Sequence, residues 1–333
     1  MKLEAFDFGS HIKIGLLVCA GGFEDRALSF VKRMRKKRFS IEHCLLLRYR
    51  SQEHENADNF TRLKLRVKEI TNKEPYVVDI NADKPIQSYI DIKSKIKNLS
   101  SQTNYKVAYI DISAMTHLWA LSSIHSSLIH GFQTSIIYTE ARSYFPPKRE
   151  EPRIIKFWRE KQYDEVVKYL QSAGLKTVNI LQEFGGNFRP GKQTCLIIFA
   201  GYEPNRVEGL VDSYAPGALI LLYGRSPHEY MRSRIKFSKA LHKELLSKWY
   251  VRETEVSTLY VDDILSVLED ELKVIQDHYD IAITPQCSKM QGLATYLFWR
   301  RHPEVQVVLT SPVRFNPKRY SRGSKNTYIY KIK

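Results

Sequence analysis

VAYIDISAMTHL, residues 107–118, changes its periodicity halfway. A run of strand-forming residues stops at Asp111 and passes through a small polar group, Ser113-Ala114-Met115-Thr116. It resumes with Leu118, Leu121, Leu128 and Ile129 at helical spacing. Such a strand, tight turn and helix start lie at the carboxyl end of a strand in an open α/β sheet. Backbone N–H groups and hydroxyls there point outward toward anything anionic. The stretch is the first candidate for a ligand site.

The chain repeats this order. DIAITPQCSKMQGLAT, residues 280–295, again runs from a short apolar strand through a small polar turn (Thr284, Gln286, Cys287, Ser288, Lys289) into a helix. Each copy is followed one helix later by a strand with similar ending chemistry, at 135–147 and 307–317. Each is preceded at long range by a matched opening: Ala20-Gly21-Gly22-Phe23-Glu24-Asp25-Arg26 after IGLLVC, and Ala200-Gly201-Tyr202-Glu203-Pro204-Asn205-Arg206 after CLIIF. Three landmarks in one order with similar gaps predict an α/β protein made of two duplicated Rossmann-like units with mainly parallel sheets.

At 333 residues and 43% apolar content, the chain is long enough for two domains with cores of their own. No apolar run reaches the ~18 residues of a membrane span, and IKIGLLVCAGGFEDR is too short in its apolar part for a secretory leader. A soluble, cytoplasmic protein without a membrane partner is expected. Cys19, Cys44, Cys195 and Cys287 form no CxxC pair, so reduced thiols are favoured over zinc or disulfides, and no cofactor is implied. The formal charge of +16 favours anionic partners. It is concentrated in KRMRKKR, residues 32–38, with six bases in seven residues, and in 318–333, with six bases and no acid. Solvated faces would account for both; DNA or RNA phosphates would account for them equally.

Taken in order, strands are expected near 13–19, 41–49, 76–80, 107–112 and 134–139, with helices at 24–37, 60–70, 85–99 and up to His130. Pro146-Pro147 closes unit 1 at residues 1–147. Residues 148–192 read as a short helical linker, with two helices separated by Gly174. Unit 2, with its basic tail, spans 193–333. Its strands are expected near 194–199, 217–223, 257–261, 280–284 and 305–310, and its helices near 203–213, 227–248, 262–277 and 288–300. The final SRGSKNTYIYKIK adds a last strand or stays a basic tail.

Several residues are ligand candidates, each with a plainer reading beside it. Gly21, Gly22 and Gly201 permit close backbone approach, but neither opening is a full GxGxxG or a P-loop, and tight turns explain them as well. Arg26 and Arg206 could meet a phosphate bidentately, or pair with Glu24 and Glu203 in the first helical turn. Ser113, Thr116, Gln286, Ser288 and Lys289 offer donors at helix starts, where ordinary N-capping would occupy a serine. Capping does not explain Lys289, a cation at the positive end of a helix unless an anion balances it. Arg142 and Arg314 stand beside Tyr144-Phe145 and Phe315, an arrangement suited to a phosphate next to a base, or to solvated loop arginines. His117, His125 and His130 are spaced wrongly for a shared metal, and Asp262-Asp263 fit an acidic helix start.

The turns ISAMT and PQCSKMQGLA resemble the Ser/Thr-rich ligand loops of CARF domains, Rossmann-like sensors of cyclic oligonucleotides in prokaryotic antiviral systems. The first unit has His117 near the place where that family often carries a lysine. No fused nuclease or winged helix is recognisable. The resemblance implies a regulatory or sensor subunit of a defence system that binds a nucleotide or cyclic oligonucleotide between its two units through the loops after strands one and four. It also implies a protein partner carrying the effector activity. Two alternatives stay open: an enzyme that processes the bound nucleotide, in the manner of a ring nuclease, and a basic subunit that binds DNA or RNA through 32–38 and 318–333. The residues do not decide whether the ligand is turned over.

Overall fold

The computed structural model describes residues 4–5, 12–34, 39–50, 53–248 and 251–332. Two compact units are present: residues 1–144 together with 321–333, and residues 145–320.

In the first unit, five strands run parallel: β1 (Ile12–Ala20), β2 (Phe39–Tyr49), β3 (Tyr76–Ile80), β4 (Val107–Asp111) and β5 (Gln133–Thr139). Their order across the sheet is β3-β2-β1-β4-β5. In β1, Leu16, Leu17, Val18 and Cys19 are all buried, so both faces are covered, as a parallel sheet between helices requires. The crossovers are α1 (Ser29–Met34, entered through a 3-10 turn at Asp25–Leu28), α2 (Glu53–Thr71), α3 (Pro85–Gln102, with proline at its first position) and α4 (His117–Ile129).

The second unit repeats the plan. Strands β6 (Thr194–Ala200), β7 (Ala218–Arg225), β8 (Val251–Ser257), β9 (Asp280–Pro285) and β10 (Gln306–Val307) are all parallel, in the order β8-β7-β6-β9-β10. The main crossovers are α7 (Pro204–Tyr214), α8 (Arg234–Leu241), α9 (Lys243–Lys248), α10 (Val261–Ile275) and α11 (Lys289–Arg301). The α/β class, the parallel sheets and the duplication expected from the sequence are present.

The two termini of the plan depart from expectation. Residues 321–333 belong to the first unit, not the second: β11 (Thr327–Lys331) lies antiparallel beside β5, with Ile329 opposite Ile137. Residues 148–192 are not a linker but part of the second unit. Helices α5 (Glu151–Arg159) and α6 (Tyr163–Val167) form a core with α8 through Ile154, Trp158, Val166, Leu170, Phe237 and Leu241. Gly174 separates no helices. It takes φ +67° between the short strands Ser172–Ala173 and Thr177–Asn179, which pair antiparallel with Arg314–Phe315 and Leu309–Ser311. Gly323, at φ +65°, plays the same part beside Ser321–Arg322, which pairs with Ser143–Tyr144.

Two finer differences have local causes. The third strand of unit 2 lies at 251–257, before the expected 257–261, because the Ser257 hydroxyl accepts the N–H groups of Leu259 and Tyr260 and turns the chain into α10. The helix expected over 227–248 is split into α8 and α9. The expected helix 24–37 is described only to Met34, and residues 35–38 of the basic run lie outside the described residues. No helix among the described residues is long and apolar enough to cross a membrane.

Candidate functional site

In each unit β1 or β6 lies between the second and fourth strands, and the connections leave the sheet in opposite directions on either side of it. The carboxyl ends of the first and fourth strands therefore form the switch-point crevice at which open α/β sheets bind ligands. The loops on its two sides touch in both units. A Cβ on Gly22 would stand 2.9 Å from the Ala114 carbonyl oxygen, and one on Gly201 2.8 Å from the Gln286 carbonyl oxygen. Gly21 is required for a different contact, since its Cβ would meet Phe60 of α2 at 2.7 Å.

In the first unit most candidate donors are committed to the fold. Ser113 is fully buried; its hydroxyl donates to Asp111 Oδ1 and accepts the Thr139 N–H at 2.8 Å, joining the ends of β4 and β5. The Thr116 hydroxyl does not cap α4, and its N–H donates to the Tyr49 hydroxyl at 3.1 Å. Tyr49 in turn donates to the Ala114 carbonyl, so the turn 114–116 hangs from the end of β2. Arg26 is buried and donates from Nη2 to both carboxylate oxygens of Glu24, at 2.9 and 3.1 Å. Glu24 also accepts the Ser321 hydroxyl at 2.6 Å. Burial opposes the charge on Arg26, but the Glu24 carboxylate outweighs it and raises the guanidinium pKa.

Asp111 is the titratable group at this turn. Burial pushes its carboxyl up to about 6, against the hydrogen bonds from Ser113 and the charge of Arg26. An acid raised in the folded state holds more protons there than when unfolded across the window from about pH 4 to about 6, so its contribution falls as pH rises through that window. A shift of about two units corresponds to about 2–3 kcal/mol. Asp111→Asn should therefore gain on the wild type as pH rises from about 4 to 7, by up to that amount. Urea unfolding of both proteins across the range checks this, and a difference independent of pH would refute it.

The second unit retains more uncommitted chemistry. Ser288 caps α11 in a capping box: its hydroxyl accepts the Gln291 N–H at 3.2 Å, and the Gln291 side chain accepts the Ser288 N–H at 2.9 Å. Arg206 donates to Glu203 at 2.8 Å and to the Gln286 carbonyl at 3.4 Å. Glu203 accepts the Ser172 hydroxyl at 2.9 Å, the counterpart of the Ser321–Glu24 bond. The side chain of Gln286 is different: it is 5% exposed, and neither Oε1 nor Nε2 has a hydrogen-bond partner among the described residues. Thr284 Oγ1, fully buried on the adjoining strand end, is likewise unsatisfied. Lys289 is half-buried at the first position of α11, and His117 holds that position in α4.

The structure thus brings Gly201, Arg206 and Gln286 together at one crevice, followed in the chain by Ser288 and Lys289, and sets Gly22 against the 113–116 turn at the other. Arg142 and Arg314 are exposed on the turns after the fifth strands. The elements missed from sequence are the two Ser-x-Gly-x-Lys turns, Ser172-Ala173-Gly174-Leu175-Lys176 and Ser321-Arg322-Gly323-Ser324-Lys325. Each presents its serine to the buried glutamate of one unit. Their identical spacing is a repeat signal that a search for long matched segments passes over.

The fold and these crevices define a tandem Rossmann-like protein. No protein-family model and no curated protein sequence matches the chain. Among solved structures it is similar to a DNA nuclease of type III CRISPR defence activated by cyclic oligoadenylate. The two share 9% identity at a TM-score of 0.49, over 95% of this chain and 68% of that one. It is also similar to Can2 from Sulfobacillus thermosulfidooxidans in complex with cyclic tetra-adenylate, with 13% identity and a TM-score of 0.27 over 40% and 37% of the two chains. The UDP-GlcNAc 2-epimerase of Methanocaldococcus jannaschii shares 13% identity at a TM-score of 0.28, over 94% and 95%.

Proposed function

We propose that the chain is a sensor or regulatory subunit of a prokaryotic antiviral defence system, which binds a nucleotide-like anion, of the cyclic oligonucleotide class, at the switch-point crevice of its second unit. The observation that carries this reading is the Gln286 amide. A buried amide without partners costs about 1–3 kcal/mol in the free protein, a cost retained where a ligand's polar groups complete it. Gly201 lets the chain approach closely beside it, and Lys289 sets a cation where the start of α11 also favours negative charge. In the first unit the same position is Ala114, which has no polar side chain to offer, so the two crevices are not equivalent under this reading. The CARF-like pattern of PQCSKMQGLA supports the ligand class. Binding would shift the population of conformers that a partner protein recognises.

The test is thermal unfolding with a panel of cyclic oligonucleotides, cyclic tetra-adenylate first, and mass spectrometry of the mixture afterwards. A ligand at about a hundred times its Kd stabilises by about 2.7 kcal/mol, which is readily seen. Gln286→Leu, which fills the space without polar atoms, should raise the stability of the free protein by about 1–3 kcal/mol and remove the response to ligand. Lys289→Ala should also weaken the response. Gln286→Leu with an undiminished response, or no shift with any member of the panel, would refute the reading. Recovery of the ligand intact distinguishes a sensor from a nucleotide-processing enzyme.

A further inference from the structure

Three features that the sequence presents separately meet in the first unit. The basic run contributes Lys32 and Arg33 from α1, the turn after β5 contributes Arg142, and the C-terminal Ser-x-Gly-x-Lys turn contributes Gly323 and Ser324. With Arg62 of α2 they line a cavity of about 390 Å³. The walls carry four cations and one carboxylate, that of Asp25, which is occupied by the Gly323 N–H at 2.8 Å. Arg33 is held by the Lys325 carbonyl, and Asn59 is turned to the carbonyls of Gly22 and Glu24 at 3.0 and 3.4 Å. The side chains of Lys32, Arg62 and Arg142 have no hydrogen-bond or ion-pair partner among the described residues.

Four like charges around one space repel one another, so the arrangement is favourable only toward an anion, and concave walls strengthen its field. The second unit shows that the fold does not demand it. Six and seven residues after Arg26 stand Lys32 and Arg33; the same steps after Arg206 lead to Asp212 and Ser213. Where a Cβ on Gly323 would meet Arg142 at 3.2 Å, one on Gly174 would meet Val313 at 3.0 Å. Ser324 corresponds to Leu175, which packs 3.2 Å from the place of a Cβ on Gly209. One copy of the duplicated turn closes on apolar side chains, and the other closes on unpaired bases.

We infer that this cavity of the first unit binds the phosphodiester backbone of a nucleic acid, separately from the switch-point crevices. No aromatic ring lines it, so nothing there stacks a base, and recognition runs through phosphates without sequence preference. Fluorescence anisotropy of a labelled oligonucleotide, titrated at several salt concentrations, tests this with Arg62→Glu/Arg142→Glu against Arg232→Glu/Arg300→Glu, the same charge change on exposed residues of the second unit. The cavity pair should lose about tenfold or more in affinity at moderate salt. The slope of log K against log salt should shrink by about 0.7–0.9 for each phosphate that the variant no longer neutralises. The second-unit pair should change both far less. Circular dichroism and thermal unfolding confirm that the variants fold. Equal reductions in both pairs would show a net-charge effect and overturn the assignment, as would unchanged binding. Stabilisation by inorganic tripolyphosphate without oligonucleotide binding would also overturn it, and would leave a polyphosphate pocket.

Discussion

Gly15→Ala should destabilise the first unit by about 3 kcal/mol or more, the upper end of what overpacking costs. Gly15 lies within β1, where the segment entering β4 crosses so closely that a Cβ would stand 1.7 Å from the Tyr105 carbonyl oxygen and 2.5 Å from Thr103 Oγ1. The obstructing atom is backbone, which cannot rotate away. The crossing segment also cannot retreat, because Glu42 of β2 holds it. That carboxylate accepts the Thr103 hydroxyl, the N–H groups of Asn104 and Tyr105 at 2.8 and 3.2 Å, and the Asn104 side chain at 2.8 Å. Burial acts to raise the Glu42 pKa, but these hydrogen bonds prevail and hold it at about 2. Relief would mean breaking that set or parting β1 from β4 at Leu16 and Ala108, the centre of the sheet. Hydrogen exchange localises the effect. Protection in Gly15→Ala should fall in β1 and β4 and persist in β6 and β9, and an unchanged melting temperature with native protection in β1 would refute the account.

How far the sequence discloses this molecule depends on where burial is two-sided. Strands β1, β4, β6 and β9 are apolar runs because both faces are covered, and each lies within one or two residues of its expected place. Strand β8 is an edge, with Arg252, Glu253 and Glu255 exposed or half-exposed along it, so its composition resembles a loop and the expectation falls on the apolar residues after it. The exchange of terminal segments is illegible for another reason. VNI and TYIYK are strand-like, but nothing local says that Thr177–Asn179 pairs forward with 309–311 while Thr327–Lys331 pairs back with 133–139. Chain order favours neighbours, and both pairings run over more than a hundred residues. The candidate site divides in the same way. The glycines and turns are readable, since a glycine after a strand marks close approach. Whether a donor is engaged or spare is not. Ser113, Ser288, Arg26 and Arg206 are all engaged by partners whose positions the sequence does not give, while Gln286, a candidate on the same footing, has neither side-chain polar atom engaged among the described residues.

The engaged arginine of the first unit supports the other large effect. Arg26 and Glu24 are 6% and 7% exposed in their side chains, and the pair joins three parts of the unit: Arg26 Nη1 reaches the Thr139 carbonyl at 3.4 Å, Glu24 receives Ser321, and the guanidinium lies 5.9 Å from the ring centres of Tyr138 and Tyr144. Removing one member of such a pair leaves a desolvated charge without a counter-charge, which costs about 3–5 kcal/mol, whereas replacing both with apolar groups of similar size is often close to neutral. Arg26→Met should therefore unfold the first unit at markedly lower denaturant, with Glu24→Leu/Arg26→Met recovering at least half of the loss. Because Glu24 also anchors Ser321, exchange protection in β11 should fall first in the single variant. Arg206→Met in the second unit should cost less, since Arg206 is twice as exposed, at 12%. The same variants decide between the two readings of Arg26. If its work were to hold a phosphate, Arg26→Met would leave the free protein as stable as the wild type and weaken only its response to cyclic oligonucleotides. If its work is to neutralise Glu24 and fasten the C-terminal turn, stability and β11 protection fall without any ligand present, and the double variant restores both. The two hydrogen bonds from Nη2, the burial and the Ser321 hydroxyl on Glu24 favour the second outcome.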